Sequence, residues 1–208
     1  MRLLLATLLA LTAPRLVWAG AQSYEVDPGA SQMLIHVGKS GLFKFAGHEH
    51  EVLAPVDAGS VTADVEEPGR STVTLSFKAA ALKVTGRGES ADDAAQVQQT
   101  MQGPKALDVE RFPEIHFASK TVAGKPSAPA HYELTVVGDL TLHGTTREVR
   151  FPLRAELSGD NLTATGQTTL RQSDFGIEPI SVAGVVKVKD ELRLEFQITA
   201  HRKDSAAP

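Results

Sequence analysis

Two runs of alternating residues, joined by a short glycine-containing segment, constrain the fold of this chain more than any other feature. The first run begins at Tyr132 and the second ends at Leu157. Apolar side chains alternate with polar or charged ones on both sides of Gly144-Thr145-Thr146. A period of two residues is typical of a β-strand with one buried face. The segment is therefore predicted to form a long antiparallel hairpin with its turn at these three residues.

The apolar face of the predicted hairpin is continuous. Its members are Tyr132, Leu134, Val136, Leu140 and Leu142 in the first strand, and Val149, Phe151, Leu153, Ala155 and Leu157 in the second. Strands of roughly 10 residues exceed the usual length. Long strands with one apolar face usually wrap into a barrel or a sandwich, so the rest of the chain is expected to supply the other walls.

Further strands are predicted along the chain, with one helix among them. The strand candidates are 31–37, 42–52, 61–66, 72–84, 114–122, 161–170 and 185–198, and 125–130 is expected to be a loop. The Ala- and Gln-rich segment between Glu89 and Gly103 breaks the alternation, with Ser90 as the expected N-cap and Gly103 as the end of a helix at about 90–102. The prediction is an all-β barrel or sandwich of about eight antiparallel strands with one short helix.

The first 21 residues have the pattern of a secretory signal peptide. Arg2 precedes an apolar run from Leu3 to Leu11, and small residues offer cleavage after Ala19 or Ala21. We expect residues 1–21 to be removed, 22–200 to form one domain and 201–208 to be a frayed tail. An exported chain without cysteine must be stabilised by burial, which suits a periplasmic location.

The charge of the remaining chain argues against some partners. Without Arg2 and Arg15 there are 19 Lys and Arg against 25 Asp and Glu, a net charge near −6. A mildly acidic surface without basic runs does not favour nucleic acid or an anionic membrane surface as a partner. No later apolar run approaches the length of a membrane span, so stable membrane insertion is not expected.

The histidines in His48-Glu49-His50 are the sharpest local feature. On a strand, residues two apart share a face, so both imidazoles could converge on a metal or an anion. His36, His116 or His143 would have to complete a metal site, since two ligands are too few. The alternatives are contact with the polar end of a ligand, or two histidines at a barrel mouth or surface without a binding role.

Other motifs give no catalytic set. Asp174-Phe175-Gly176 repeats the D-F-G letters of protein kinases, but the glycine-rich loop and the H-R-D motif are missing. We expect Asp174 and Gly176 to shape a bend and Phe175 to lie in the barrel. The sequence contains no nucleophile motif or dinucleotide fingerprint, so the chain is not predicted to be an enzyme and no cofactor is expected.

Four segments then resemble one known family. They are SYEVDPGASQMLIHVG, ERFPEIHFAS, YELTVVGDLTLHGTTREVRFPL and LRQSDFGI, which occur in the order and at the spacing of the YceI-like family from about Ser23 to Thr199. The resemblance implies a periplasmic, lipocalin-like antiparallel β-barrel. Some members bind a long polyisoprenoid or a similar amphiphile inside the barrel, and dimers are seen. Residues 89–115 depart from the Arg-Asp-x-His-Leu phrase that much of the family carries, so no role of that phrase is carried over.

The apolar faces either fill a core or line a cavity. Periodicity alone favours a filled core, and the resemblance adds a tunnel for a polyisoprenoid or quinone-like lipid. The candidate ligand-binding residues are Ile35, Phe43, Phe45, Leu75, Phe77, Phe117, Leu140, Phe151, Phe175, Leu194, Phe196, His48 and His50. The alternatives are a metal-binding stress protein built on the histidines, and a packed barrel that acts through protein contacts alone. The resemblance also allows a homodimer as a partner.

Overall fold

The structure, a computed structural model, describes residues 20–40, 49–182 and 186–203 of the chain. Most of the expected signal peptide and residues 204–208 of the expected tail lie outside these ranges. The described elements are β1 (Gln22–Val26), β2 (Gln32–Ser40), β3 (His50–Leu53), β4 (Ala58–Ala63), β5 (Thr72–Lys78), β6 (Lys83–Val84), α1 (Ala91–Gln102), β7 (Glu114–Ala128), β8 (His131–Leu142), β9 (Thr145–Ser158), β10 (Asn161–Arg171), β11 (Ser181–Val182) and β12 (Val186–Arg202).

The strands close into an antiparallel barrel with eight walls. Three walls are each built from two strands that follow one another in the sequence: β1 and β2, β3 and β4, and β5 and β6. The two strands of such a wall are hydrogen-bonded to neighbouring walls. The other five walls are β7, β8, β9, β10 and β12. Each wall pairs with the next one along the chain, and β12 closes the barrel by pairing with both β1 and β2. The predicted all-β barrel of about eight strands is confirmed.

The central hairpin has the predicted strands, with a tighter turn. β8 and β9 pair from His131 opposite Glu156 to Leu142 opposite Thr145. The turn is His143-Gly144, with φ of 50° and 69°, as a two-residue hairpin with matching twist requires. Thr145, expected in the turn, belongs to β9.

Helix α1 has the predicted ends. The Ser90 hydroxyl oxygen accepts a hydrogen bond from the Asp93 N–H, and Gly103 follows the last helical residue. The Gln98 side chain accepts from the Val84 N–H at 2.7 Å and donates to the Leu82 carbonyl at 2.8 Å. The helix is therefore attached to the edge of β6.

Two predicted irregular segments contain paired strand. β7 continues to Ala128, and Pro126 lies opposite Tyr132 of β8. Pairing of β7 with β5 ends at Ala118, so this proline lies on an edge, where a missing N–H is tolerated. At the carboxyl end β12 continues to Arg202, which pairs with Tyr24, so the first two residues of the expected tail belong to the barrel.

The barrel has two different ends. The helix end carries α1, the His143-Gly144 turn and the segment between β5 and β6. The turn end carries the short connections between β4 and β5, β7 and β8, and β9 and β10.

Candidate functional site

A cavity of about 800 Å³ runs inside the barrel. This volume lies within the range of roughly 300–1,000 Å³ that is typical of small-molecule sites. All eight walls and helix α1 contribute lining residues. The interior of an eight-walled barrel can be filled or hollow, and here the side chains leave it partly open.

The inner wall is mostly apolar and contains a chain of aromatic rings. The centroids of Phe117 and Phe151 are 5.5 Å apart, and those of Phe151 and Phe196 are also 5.5 Å apart. Such tilted and edge-to-face pairs pack favourably. The candidate residues that line the cavity are Ile35, His50, Leu75, Phe77, Phe117, Leu140, Phe151, Leu194 and Phe196.

One described candidate residue is not part of this wall. Phe175 lies in the short 3-10 helix Gln172–Phe175 and is 1% exposed, but it is absent from the cavity lining. Gly176, with φ of 74°, follows it and ends this helix. Phe43, Phe45 and His48 lie outside the described residues.

Part of the wall was not selected from the sequence. Ala155 and Ala164 face each other across β9 and β10 and both line the cavity. Val97 and Met101 of α1 close the helix end. The alternation pattern already placed Ala155 inward, and the four-residue spacing of Val97 and Met101 marked one face of the helix.

The helix end of the cavity has a polar corner, made by His50 and Glu89. His50 Nδ1 lies 2.9 Å from Glu89 Oε1. The Glu89 side chain is 1% exposed and His50 is 24% exposed. Asp93 also reaches the cavity, and its carboxylate accepts a hydrogen bond from the Ser90 hydroxyl at 2.8 Å. Glu89 was not selected from the sequence, where it only marked the start of the helical segment.

At the turn end, Asp64 organises a turn through hydrogen bonds to residues close to it in the sequence. Asp64, 6% exposed, accepts hydrogen bonds at Oδ1 from the N–H groups of Glu66 and Glu67, at 3.1 and 2.8 Å. Its own N–H donates to the Ser71 hydroxyl at 3.0 Å. Tyr24 is buried at this end, and burial raises the pKa of its phenol.

The described histidines do not converge on His50. His36 lies on the outer face of β2 with Nε2 3.8 Å from Glu195, and His116 is exposed beside Glu114. His143 packs on Phe112 with ring centroids 4.4 Å apart, and its Nδ1 donates to the Phe175 carbonyl at 3.3 Å. Across residues 20–40, 49–182 and 186–203, no three His, Cys, Asp or Glu side chains are arranged to hold a metal ion.

None of the helices within residues 20–40, 49–182 and 186–203 is long and apolar enough to cross a bilayer.

Relatives of known sequence carry no assigned activity in their names. A UPF0312 protein of Pseudomonas putida (strain W619) is 32% identical over 130 residues, and one of strain GB-1 is 31% identical over 130 residues. Each alignment covers 58% of this chain and 59% of the relative. The chain therefore matches less than two thirds of the length of these curated relatives.

Solved structures share the fold at low identity. BcnA of Burkholderia cenocepacia has a TM-score of 0.63 and 18% identity, over 84% of this chain and 98% of that one. A polyisoprenoid binding domain from Saccharophagus degradans, implicated in plant cell wall breakdown, has a TM-score of 0.60 and 12% identity, over 88% and 99%. The YCEI protein of Campylobacter jejuni gives 0.53 and 13%, over 73% and 85%.

The family model extends over nearly the whole barrel. The YceI-like domain matches residues 24–200, from Tyr24 in β1 to Ala200 in β12. That range includes every strand of the cavity wall and helix α1. The chain is a member of the YceI-like family.

Proposed function

We propose that this protein holds one long apolar amphiphile, polyisoprenoid or quinone-like in type, inside the barrel and sequesters or carries it in the periplasm. Export would depend on a cleavable signal peptide at residues 1–21. The observation that carries the proposal is the cavity of about 800 Å³, which is apolar along most of its length. A closed barrel with such an interior fits a chain-like ligand better than a compact polar one.

The energetics favour occupancy. An apolar ligand that buries roughly 300 Å² gains about 7.5 kcal/mol at 25 cal/mol per Å², before the entropy cost of association. No specific polar residue is needed along the chain of such a ligand. The polar corner at His50 and Glu89 is where its head group would lie.

The comparison with solved structures supports the ligand class by analogy. One structural neighbour is a polyisoprenoid binding domain, and it covers 88% of this chain. At 12% identity the likeness shows the fold alone, and a shared fold does not by itself carry a function. We propose binding and not catalysis because the sequence offers no nucleophile with a base beside it.

The first test is to extract the protein, purified from its own cells, with organic solvent and to record a mass spectrum. We expect about one amphiphile per chain. An empty protein that also takes up no isoprenoid from mixed micelles would overturn the proposal.

A matched pair of variants tests whether the ligand lies inside. Ala164 lines the cavity and Thr165, the next residue, is exposed on the outside. Ala164→Trp should narrow the tunnel and reduce the copurified ligand severalfold, while Thr165→Trp keeps it. Equal loading of two folded variants would place the ligand elsewhere.

A further inference from the structure

Two ionisable side chains that lie 39 residues apart in the sequence meet at the helix end of the cavity. Pairing of Val52 with Val84 brings β3 beside β6. This register places His50, at the start of β3, next to Glu89, which precedes α1. His50 Nδ1 lies 2.9 Å from Glu89 Oε1, and this hydrogen bond orients the carboxylate.

The second oxygen of this carboxylate has no partner among the residues that the structure describes. Glu89 Oε2 is buried and accepts no hydrogen bond from residues 20–40, 49–182 or 186–203, in contrast to Oε1. Leaving a buried acceptor unsatisfied costs free energy, and native structures rarely do so without a reason. Glu89 lines the cavity, so a bound molecule could supply the missing donor.

The charges along the wall have one sign. The carboxylate residues on it are Asp64, Glu89 and Asp93, and His50 is the one other ionisable residue besides Tyr132 in the described lining. No Lys or Arg is among the lining residues within the described ranges. A phosphate or carboxylate brought to the helix end would face the buried carboxylate of Glu89, where like charges repel more strongly than in bulk water.

We propose that Glu89 anchors the head group of the bound amphiphile, and that this head group is a hydrogen-bond donor, a hydroxyl or a primary amine, and not a phosphate or a carboxylate. The inference rests on the proposed function, because it names the polar end of the same ligand. Glu89 Oε2 accepts the head-group hydrogen. His50 is a positioning residue, which holds Oε1 and so aims Oε2 at the cavity.

The size of the effect follows from the kind of hydrogen bond. A hydrogen bond to a charged group is stronger than a neutral one, and its loss reduces affinity by about 10- to 100-fold. A donor head group should therefore bind at least about 10-fold more tightly than an anionic one on the same chain.

The test compares three probes that share one apolar chain: geranylgeraniol, geranylgeranylamine and geranylgeranyl monophosphate. Dissociation constants are measured for the unmodified protein, for Glu89→Gln and for Glu51→Gln. Glu51 is the matched control because it follows His50 on β3 but is absent from the cavity lining and pairs with Arg87 at 3.3 Å. Glu51→Gln removes the same charge close by without touching the site.

We expect the alcohol and the amine to bind the unmodified protein more tightly than the phosphate. Glu89→Gln should reduce that preference about 10-fold or more, and Glu51→Gln should keep it. Preference for the amine alone would also support Glu89 as the anchor of the head group, and would show that an ion pair with the ammonium group is the interaction responsible.

Equal binding of all three probes, or a preference for the phosphate, would overturn the head-group inference while leaving the binding barrel in place. Binding of none of them would count against the proposed function itself. The ranking on the unmodified protein decides the question even where Glu89→Gln does not fold.

Discussion

Two buried carboxylates lie at opposite ends of the same cavity and differ in their hydrogen-bond partners. At the turn end, Asp64 accepts hydrogen bonds from two N–H groups two and three residues further along the chain. At the helix end, Glu89 Oε1 contacts His50 from a distant strand, and Oε2 has no hydrogen-bond partner among the described residues. The first carboxylate completes a turn. The second has an oxygen that no described residue of the chain satisfies.

The hairpin turns show a related difference between the ends. Gly144 lies under Phe112, and an added Cβ would be 2.5 Å from its ring. Gly159, at the turn end, has nothing within 4 Å of the same position. Glu89 and Gly144 at the helix end thus contact distant segments, whereas Asp64 at the turn end is held by local contacts. Four predictions test this contrast.

The largest difference is expected between the two glycines. Both have positive φ, at 69° for Gly144 and 59° for Gly159, so alanine costs about 1–2 kcal/mol of backbone strain at either position. At Gly144 the overlap with Phe112 adds about 1–3 kcal/mol. Urea unfolding of Gly144→Ala and Gly159→Ala should show the larger loss for the former. Equal losses in the free energy of unfolding would mean that the Phe112 ring moves away from the added methyl group without destabilising the protein.

The two carboxylates should differ in their contribution to the free energy of unfolding. Asp64→Ala leaves two backbone N–H groups without their acceptor and is expected to reduce the free energy of unfolding by about 1–3 kcal/mol. Glu89→Gln should change it by less than about 1 kcal/mol, because relief of a half-partnered buried charge offsets a weaker bond to His50. Thermal unfolding of both variants checks this, and a larger loss for Glu89→Gln would assign that residue a structural role.

Attachment of the helix depends on Gln98. Gln98→Ala removes both hydrogen bonds to the edge of β6, at a cost of about 1–2 kcal/mol. We expect faster hydrogen–deuterium exchange in α1 and at the Val84 N–H, since local opening becomes easier. The control is Gln99→Ala, whose side chain is exposed on the same helix. Equal protection in the two variants would show that apolar contacts alone hold the helix.

The smallest effect concerns Asp190, near the helix end. The hydroxyl and the N–H of Ser173 both donate to its carboxylate, which lowers the pKa of Asp190. A lowered pKa means that the stabilisation is present above about pH 4, the pKa range of an unfolded Asp, and is lost as the pH falls through the folded pKa. Asp190→Asn should therefore lower Tm slightly at pH 7, and the difference should vanish in acid. The matched control is Glu191→Gln, which removes a charge from the exposed neighbouring residue.

The features that depend on local pattern were predictable. Alternation placed all ten residues of the predicted apolar face of the central hairpin on the inner face, and Ser90 and Gly103 marked the ends of α1. The turn is His143-Gly144 and not Gly144-Thr145-Thr146, because His143 adopts a positive φ, which histidine does more readily than most non-glycine residues. Local chemistry was thus a good guide to elements and their faces.

The features that depend on register between distant strands were not predictable. Glu89 meets His50 through the pairing of β3 with β6, and no sequence signal links two residues so far apart. The segment at 125–130 looked like a loop because of its prolines, but pairing with β8 extends β7 into it. A hollow interior also could not be separated from a filled one, since it depends on the summed volume of side chains from all eight walls.

The position of β12 in the barrel implies an order for the steps of folding and ligand binding. All neighbouring walls are consecutive in sequence except at the seam where β12 meets β1 and β2. That seam joins residues 174 positions apart, as His201 and Asp27 show, and contacts of such separation form slowly. The cavity has no complete wall until β12 is in place, and a ligand that binds only the closed barrel stabilises only the finished fold. Loading and the final step of folding are therefore thermodynamically linked, and an excess of ligand should favour the closed chain over every partly paired form.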